Sequence, residues 1–513
     1  MRNVPSRSGV FSLALDGPGI LKTTPAGNGA FNVRVLGTTE DSTLTIAQVR
    51  PRYHAVSGLL PIRNISIQSG EIGGINAGAV LLNGSMTPLD SSPSLISFGA
   101  LGPNAQIDVR GSVGAMAFGE VALGPGGHVV IAGDLTGTGS SGGAGLSVGE
   151  MTLQAGQFVI GRDALAPVAI AGDVRLSENG LFSVGRDLAG TLDVGGSVVL
   201  DAGGEILVGR NLGGMTVNGD VLVNPQAAGI LVNGNMGRTR INGIFRGQGS
   251  PSNIDLAVGL NLNGLEVVGG TANQGSIQDA NISVGKSLSG LNAAHGIYRS
   301  WITAGVAIDG VTVGADGVTA IYNSEIDAGT SITNVQINGD VVSGFPKGDA
   351  RGYPTRLIAG KVRGPEKNST PNQGLYLSNG TITNFTIQGA LVDAVLAASV
   401  APFGGDGSLP PPPSYNTPPR TCGTPPGAFT NYQAPAGLTG GTTPNFSIRN
   451  VGGPNSNVAA WVVPEGQRHA CVLENGTVHV TVTGGAISSR TDPFDDTYDF
   501  PGVFAVNTEG ITR

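Results

Sequence analysis

The chain has 513 residues and a formal net charge of −8, with 85 glycines, 12% charged and 5% aromatic residues, yet 40% apolar ones. That apolar share excludes a disordered low-complexity chain, and the absence of a glycine at every third position excludes collagen. No basic run focuses a field on nucleic acid or an anionic membrane, and no apolar stretch approaches the roughly 18 residues of a transmembrane segment.

The opening residues MRNVPSRSGV carry charge, but the apolar stretch Phe11 to Leu15 is soon ended by Asp16-Gly17-Pro18-Gly19, so no leader is legible. An exported chain would have lost its leader, or Met1 opens a piece of a longer protein. Phe31-Asn32-Val33-Arg34-Val35 and Ser42-Thr43-Leu44-Thr45-Ile46 alternate as longer strands. Residues 1–60 are therefore expected to form an N-terminal β cap, which a solenoid needs because an open end coil is a bare sheet edge.

From there a phrase recurs: Val184-Gly185-Arg186-Asp187-Leu188, Val208-Gly209-Arg210-Asn211-Leu212, Val232-Asn233-Gly234-Asn235-Met236, Val258-Gly259-Leu260-Asn261-Leu262 and Val284-Gly285-Lys286-Ser287-Leu288, with starts 24, 24, 26 and 26 residues apart. Ile160-Gly161-Arg162-Asp163 extends it one step upstream. Within one interval, Thr191 to Val194, Val198 to Leu200 and Glu205 to Val208 read as short strands parted by Gly195-Gly196 and Gly203-Gly204. Strands of this length at this period predict an all-β fold, a parallel β-helix over residues 61–392 with coils of about 24 residues stacked ~4.8 Å apart. The irregular 26-residue steps favour the right-handed kind.

Stacking the phrase sets Asp163, Asp187, Asn211, Asn235, Asn261 and Ser287 one above another, a hydrogen-bonded structural ladder of turn residues. The preceding position stacks Arg162, Arg186 and Arg210. Like charges at this spacing repel by about 1 kcal/mol even in water, so the column faces solvent, pairs with Asp163 and Asp187, or binds an anion such as an acidic glycan. Gly145-Leu146-Ser147-Val148-Gly149 matches a nucleophile elbow, but Ser-Val-Gly recurs at Ser183 and Ser283 as part of the coil. Asp134, Asp173, Asp220 and Asp340 each follow glycine and read as turn acids rather than as converging catalytic groups. Tyr298, Trp301 and Tyr322, with His295 beside them, are the one local concentration of aromatics that can offer stacking platforms for a sugar.

Downstream, Ile332-Thr333-Asn334 returns 50 residues later as Ile382-Thr383-Asn384, read as two coils on, with residues 344–375 protruding as a loop. Ala390 to Ala401 lacks glycine and reads as a helix able to plug the last coil. The helix and a proline-rich linker fill residues 393–436, and residues 437–513 form a small C-terminal β unit. Cys422 and Cys471 lie on either side of the last linker segment and are expected to form a disulfide, stabilising by about 4 kcal/mol through loop closure. Adding His469 and His479 matches no standard zinc spacing. Asp492, Asp495, Asp496 and Asp499 offer oxygen ligands for calcium, or form a solvated acidic turn; no other cofactor is indicated.

In its glycine-punctuated coils, Val-Gly-Arg-Asp-Leu and Gly-Asp-Val, and in Ser42-Thr43-Leu44-Thr45-Ile46, the chain from about residue 10 to 392 resembles bacterial β-solenoid surface proteins of the filamentous-haemagglutinin and autotransporter-passenger kind. That resemblance implies export and an extracellular or cell-surface role as stalk, adhesin or fibre, with itself, other surface proteins or glycans as partners. No membrane barrel is legible at the C-terminus. The expectation is a secreted or cell-surface structural or adhesive protein without catalysis. The alternatives are a self-assembling extracellular filament subunit and a polysaccharide-degrading β-helix enzyme.

Overall fold

The computed structural model describes residues 1–6, 8–51, 58–137, 143–250, 252–342, 355–359 and 381–392, and strand segments at 395–398, 400–401, 442–450, 471–472, 477–482 and 502–504. Every regular element among the described residues is a strand, and none of them is a helix able to cross a membrane. The chain is a parallel β-solenoid divided into two compact units, Met1–Asn242 with Asp255–Val258, and Gly243–Ile254 with Gly259–Arg513.

The first unit opens with antiparallel pairing. Gly9–Asp16 lies between Arg2–Ser6 and Thr43–Pro51, while Ile20–Gly27 and Ala30–Leu36 form a hairpin whose turn holds Asn28 and Gly29 at φ 51° and 75°. Asparagine followed by glycine is the pair that tolerates such a turn. Pairing then becomes parallel, Ala30–Leu36 against Leu60–Gln68 and Thr43–Pro51 against Gly74–Leu82. Pro5 and Pro25 lie in the Arg2–Ser6 and Ile20–Gly27 strands, beside Arg2 and Lys22. Proline and charge blunt an edge against further strands, as a cap requires.

Beyond the cap, each coil has three faces. Gln157–Ile160, Val168–Ile170 and Val174–Ser177 make one coil, and they pair in parallel with Leu181–Val184, Leu188–Val194 and Val198–Leu200 of the next. The register partners Gln157↔Leu181, Val168↔Leu192 and Val174↔Val198 are 24 residues apart, so the sequence period is the coil itself. Alternate residues point inward: Phe158, Ile160, Val168, Ile170, Val174 and Leu176 are all at most 2% exposed. Phe98, Phe118, Phe158 and Phe182 stack through the interior with successive ring centroids 6.4, 6.2 and 5.9 Å apart. Burying each such side chain stabilises by about 1.5–3 kcal/mol.

The glycine of the recurring phrase has a cause that the sequence does not display. Gly161, Gly185 and Gly209 do not have positive φ. A β-carbon at Gly185 would strike the carbonyl oxygen of Gly161, and one at Gly209 that of Gly185. The corner passes so close to the coil below that no side chain fits.

In the second unit, one face stacks Asn281–Val284, Trp301–Ala304, Glu325–Ala328, Arg356–Ala359 and Val395–Ala398 in parallel. Another stacks Leu288–Ala293, Ala307–Tyr322, Ser331–Val342 and Thr381–Val392, and Thr442–Asn450 and Thr477–Val482 add to the same ladder. Two expectations are corrected here. Ile332 pairs directly with Ile382, so the 50-residue step is one coil and not two. The described residues of the run from Ala390 to Ala401 are strand and not helix: Val395–Ala398 pairs with Arg356–Ala359, Leu396 in register with Leu357. A ladder partner outweighs the few tenths of a kcal/mol per residue, roughly, by which alanine and leucine favour a helix.

Cys422, the proline-rich linker and Asp492, Asp495, Asp496 and Asp499 lie outside the described residues, as do 344–354 and 360–375; between these, Arg356–Ala359 is a strand of the stack, so the loop expected over 344–375 is not one continuous protrusion. Cys471 starts a two-residue strand antiparallel to Val400–Ala401.

Candidate functional site

The first corner of the coil, where the recurring phrase turns, carries a one-way ladder. Asp163 N–H donates to Asp134 Oδ1 at 3.0 Å, Asp187 N–H to Asp163 Oδ1 at 3.0 Å, Asn211 N–H to Asp187 Oδ1 at 3.0 Å, and Asn235 N–H to Asn211 Oδ1 at 2.9 Å. Asn211 and Asn235 also donate their side-chain amides to the oxygen below, each at 3.0 Å. Ser112 Oγ accepts the Asp134 N–H at 3.0 Å, so Asp134, a turn acid by sequence, is a rung of this ladder. In the second unit Asn261 Oδ1 accepts the Ser287 N–H at 3.3 Å. Each oxygen satisfies a corner N–H of the following coil.

The arginines reach back to these carboxylates. Arg186 bonds Asp163 Oδ2, Arg210 bonds Asp187 Oδ2 at 2.5 Å, and Arg210 lies 3.7 Å from Asp163 as well. Arg162 is exposed and makes no ion pair among the described residues. Burial works against ionisation of Asp163, but the Asp187 N–H and the Arg186 and Arg210 guanidinium groups outweigh it and hold its carboxyl below the usual range. Beyond Arg162 the column thus satisfies its own charge: the acids that hold the backbone also neutralise Arg186 and Arg210.

A second corner repeats the device. Asp173 Oδ1 accepts the Ser197 N–H at 2.9 Å and Ser197 Oγ accepts the Asp220 N–H at 3.1 Å. The Ser197 N–H lowers the Asp173 pKa despite burial, helped by Arg175 at 3.2 Å. Asp134 therefore belongs to one corner and Asp173 and Asp220 to another, while Asp340 sits in the Ser331–Val342 strand of the second unit. These acids do not converge. Ser147 lies within the uninterrupted strand Leu146–Gln154, with no turn into a helix behind it.

The aromatic platform is buried. Tyr298 and Trp301 are 5% and 4% exposed, and Tyr322 is half-buried with its ring 5.8 Å from that of Tyr298. The Tyr298 hydroxyl lies 2.8 Å from the carbonyl oxygens of Ala272 and Thr319. Burial raises its pKa above the ordinary phenol value. At this burial neither Tyr298 nor Trp301 presents a ring face on which a sugar can stack, which corrects that expectation. Trp301 lies within an outward row of unlike groups, Asn281, Trp301 and Glu325 in register, with Thr303 and Asp327 alongside. Asn281, Glu325 and Asp327 are 0%, 6% and 3% exposed, so this row is not an open cleft. Among the described residues no three histidine, cysteine or acidic side chains are grouped to hold a metal ion.

What the sequence reading missed is a groove on the second face of the first unit. Ser147, Ala169, Asp193 and Thr216 stand in register on four successive strands and line a shallow depression of about 350 Å³, edged by Ala171, Gly195 and Asn218. Its floor is low because every outward side chain there is small. The only available signal was small polar residues at the coil period, which glycine-rich turns elsewhere mimic.

No protein-family model, no curated protein and no solved structure matches this chain.

Proposed function

We propose that this chain is a structural or adhesive β-solenoid, secreted or held at the cell surface, that works without catalysis. One observation carries the reading: apart from Arg162, the polar side chains of the recurring corner are spent on neighbouring coils, through carboxylate and amide oxygens that accept backbone N–H groups of the following coil and through Arg186 and Arg210 paired to Asp163 and Asp187 of the preceding one. Repetition of this kind builds a rigid, uniform surface, whereas catalysis needs unlike groups converging in an open site. The sequence resemblance to filamentous-haemagglutinin and autotransporter-passenger solenoids supports an exported role. Antibody labelling of intact source cells, and attachment of a strain lacking the protein, test it. Surface label with reduced attachment is expected; label only after lysis, or polysaccharide depolymerisation by the purified chain, overturns it.

A filament subunit is the second reading, favoured by a ladder that continues into Thr442–Asn450 and Thr477–Val482. Proline in the strands Arg2–Ser6 and Ile20–Gly27 counts against joining through the N-terminal end. Electron microscopy across a concentration series separates the two.

A further inference from the structure

The groove on the second face carries features that the ladder does not need. Its polar groups are held in place from outside it. Thr191 Oγ1 donates to Asp193 Oδ2 at 2.6 Å, fixing that carboxylate. Asn242 Nδ2 donates to Asn218 Oδ1 at 2.9 Å, and Asn242 Oδ1 in turn accepts from Arg240 Nε at 2.9 Å. This relay orients the Asn218 amide so that its nitrogen remains a donor at the groove edge. Ser147 and Thr216 add hydroxyls along the floor, and Ala169 and Ala171 add small apolar patches between them. The groove stops where Arg240 replaces a small residue on the next strand, in register with Thr216.

The occupant is constrained by what the groove lacks. Strands on the floor are paired on both sides, so their backbone offers nothing to an incoming peptide strand. No basic side chain lines it, Arg240 standing only at its end, so Asp193 is the one charge of its lining; the neighbouring corner stacks the exposed Glu120 on Glu150 and bears Asp220, while Asp173 there is paired with Arg175. That field repels uronates, sulfated sugars and nucleic acid. Fixed hydroxyl, amide and carboxylate groups, interleaved with small apolar patches along four rungs of ~4.8 Å spacing, match a linear chain of uncharged hydroxyls.

We propose that this groove, lined by Ser147, Ala169, Asp193, Thr216 and Asn218, binds a neutral linear glycan lying along the stack. Binding is a property of the purified chain wherever it is displayed, so its failure and that of the surface role are read separately. Isothermal titration calorimetry of the full chain against cellohexaose, xylohexaose and mannohexaose, with oligogalacturonate and heparin hexasaccharides as acidic counterparts, tests it. At least one neutral hexasaccharide is expected to bind and neither acidic one. Ala169→Trp, which fills the floor, and Asn218→Ala, which removes the oriented donor, each weaken binding about tenfold or more. Arg175→Ala, on the adjoining face, leaves it unchanged. The proposal is overturned if none of the three neutral sugars binds or if an acidic one binds instead. It is also overturned if Asn218→Ala, or a natively folded Ala169→Trp, binds like the parent.

Discussion

Replacing Asp163 by alanine or by asparagine separates the two tasks of the corner ladder. The carboxylate is 14% exposed; its Oδ1 accepts the Asp187 N–H at 3.0 Å and its Oδ2 bonds Arg186. Asp163→Ala leaves a half-buried N–H without its acceptor, a cost of about 1–3 kcal/mol. The released Arg186 is 44% exposed, so losing its partner adds only about 0–1 kcal/mol, and Arg210 keeps its bond to Asp187. Asp163→Asn keeps an oxygen in place, as Asn211 does for Asn235, and is expected to cost about 1 kcal/mol or less. A solenoid need not unfold as one body, so exchange of the Asp187 amide hydrogen is the proper local measure. It should quicken about 10–100-fold in the alanine variant and about fivefold or less in the asparagine variant, 1.4 kcal/mol being a factor of 10. Equal effects of the two substitutions, or an Asp187 amide indifferent to Asp163→Ala, would refute the ladder as a source of stability.

The pH dependence has a definite sign. Asp163 and Asp173 are held below the ordinary carboxylate range in the folded chain, so the unfolded chain takes up protons first as pH falls. Their contribution is complete above about pH 4, the unfolded value, and is lost as pH drops toward the folded values; urea melts should show the parent's advantage over Asp163→Asn vanishing there. Gly209→Ala, whose β-carbon meets the Gly185 carbonyl, should cost about 1–3 kcal/mol. Gly78→Ala, with open space around it, should stay within about 0.5 kcal/mol in the same melts. Phe182→Ala, at 1% exposure within the ring stack, should cost about 3–5 kcal/mol by denaturant titration. Tyr298→Phe removes a hydroxyl placed to donate to the Ala272 or Thr319 carbonyl and should cost about 1 kcal/mol, and ultraviolet titration of the parent should find a phenol ionising above the ordinary value that is lost in this variant.

The corner at Asn334 and Asn384 shows how far local reading reaches. Both asparagines have positive φ, 56° and 52°, and Asn384 Nδ2 donates to Asn334 Oδ1 at 2.9 Å. In the preceding rungs the same place is held by Gly290 and Gly310, at φ 72° and 73°. Glycine and asparagine exchange there because both accept left-handed backbone. The repeated Ile-Thr-Asn announced the position, but not that its two copies touch.

Coil length, the inward alternation of Val, Ile, Leu and Phe, and the polar character of the corners were determined by the sequence alone, because each follows from a residue and its near neighbours at a fixed period. Tertiary structure decided what depends on the rung above or below. It turned the 50-residue step into a single coil, made Val395–Ala398 a strand and took Tyr298 and Trp301 out of solvent. It also gave Gly185 its steric necessity and joined Ser147, Ala169, Asp193 and Thr216 into one groove. Register between strands is a property of both partners, and a single stretch of chain carries only half of it.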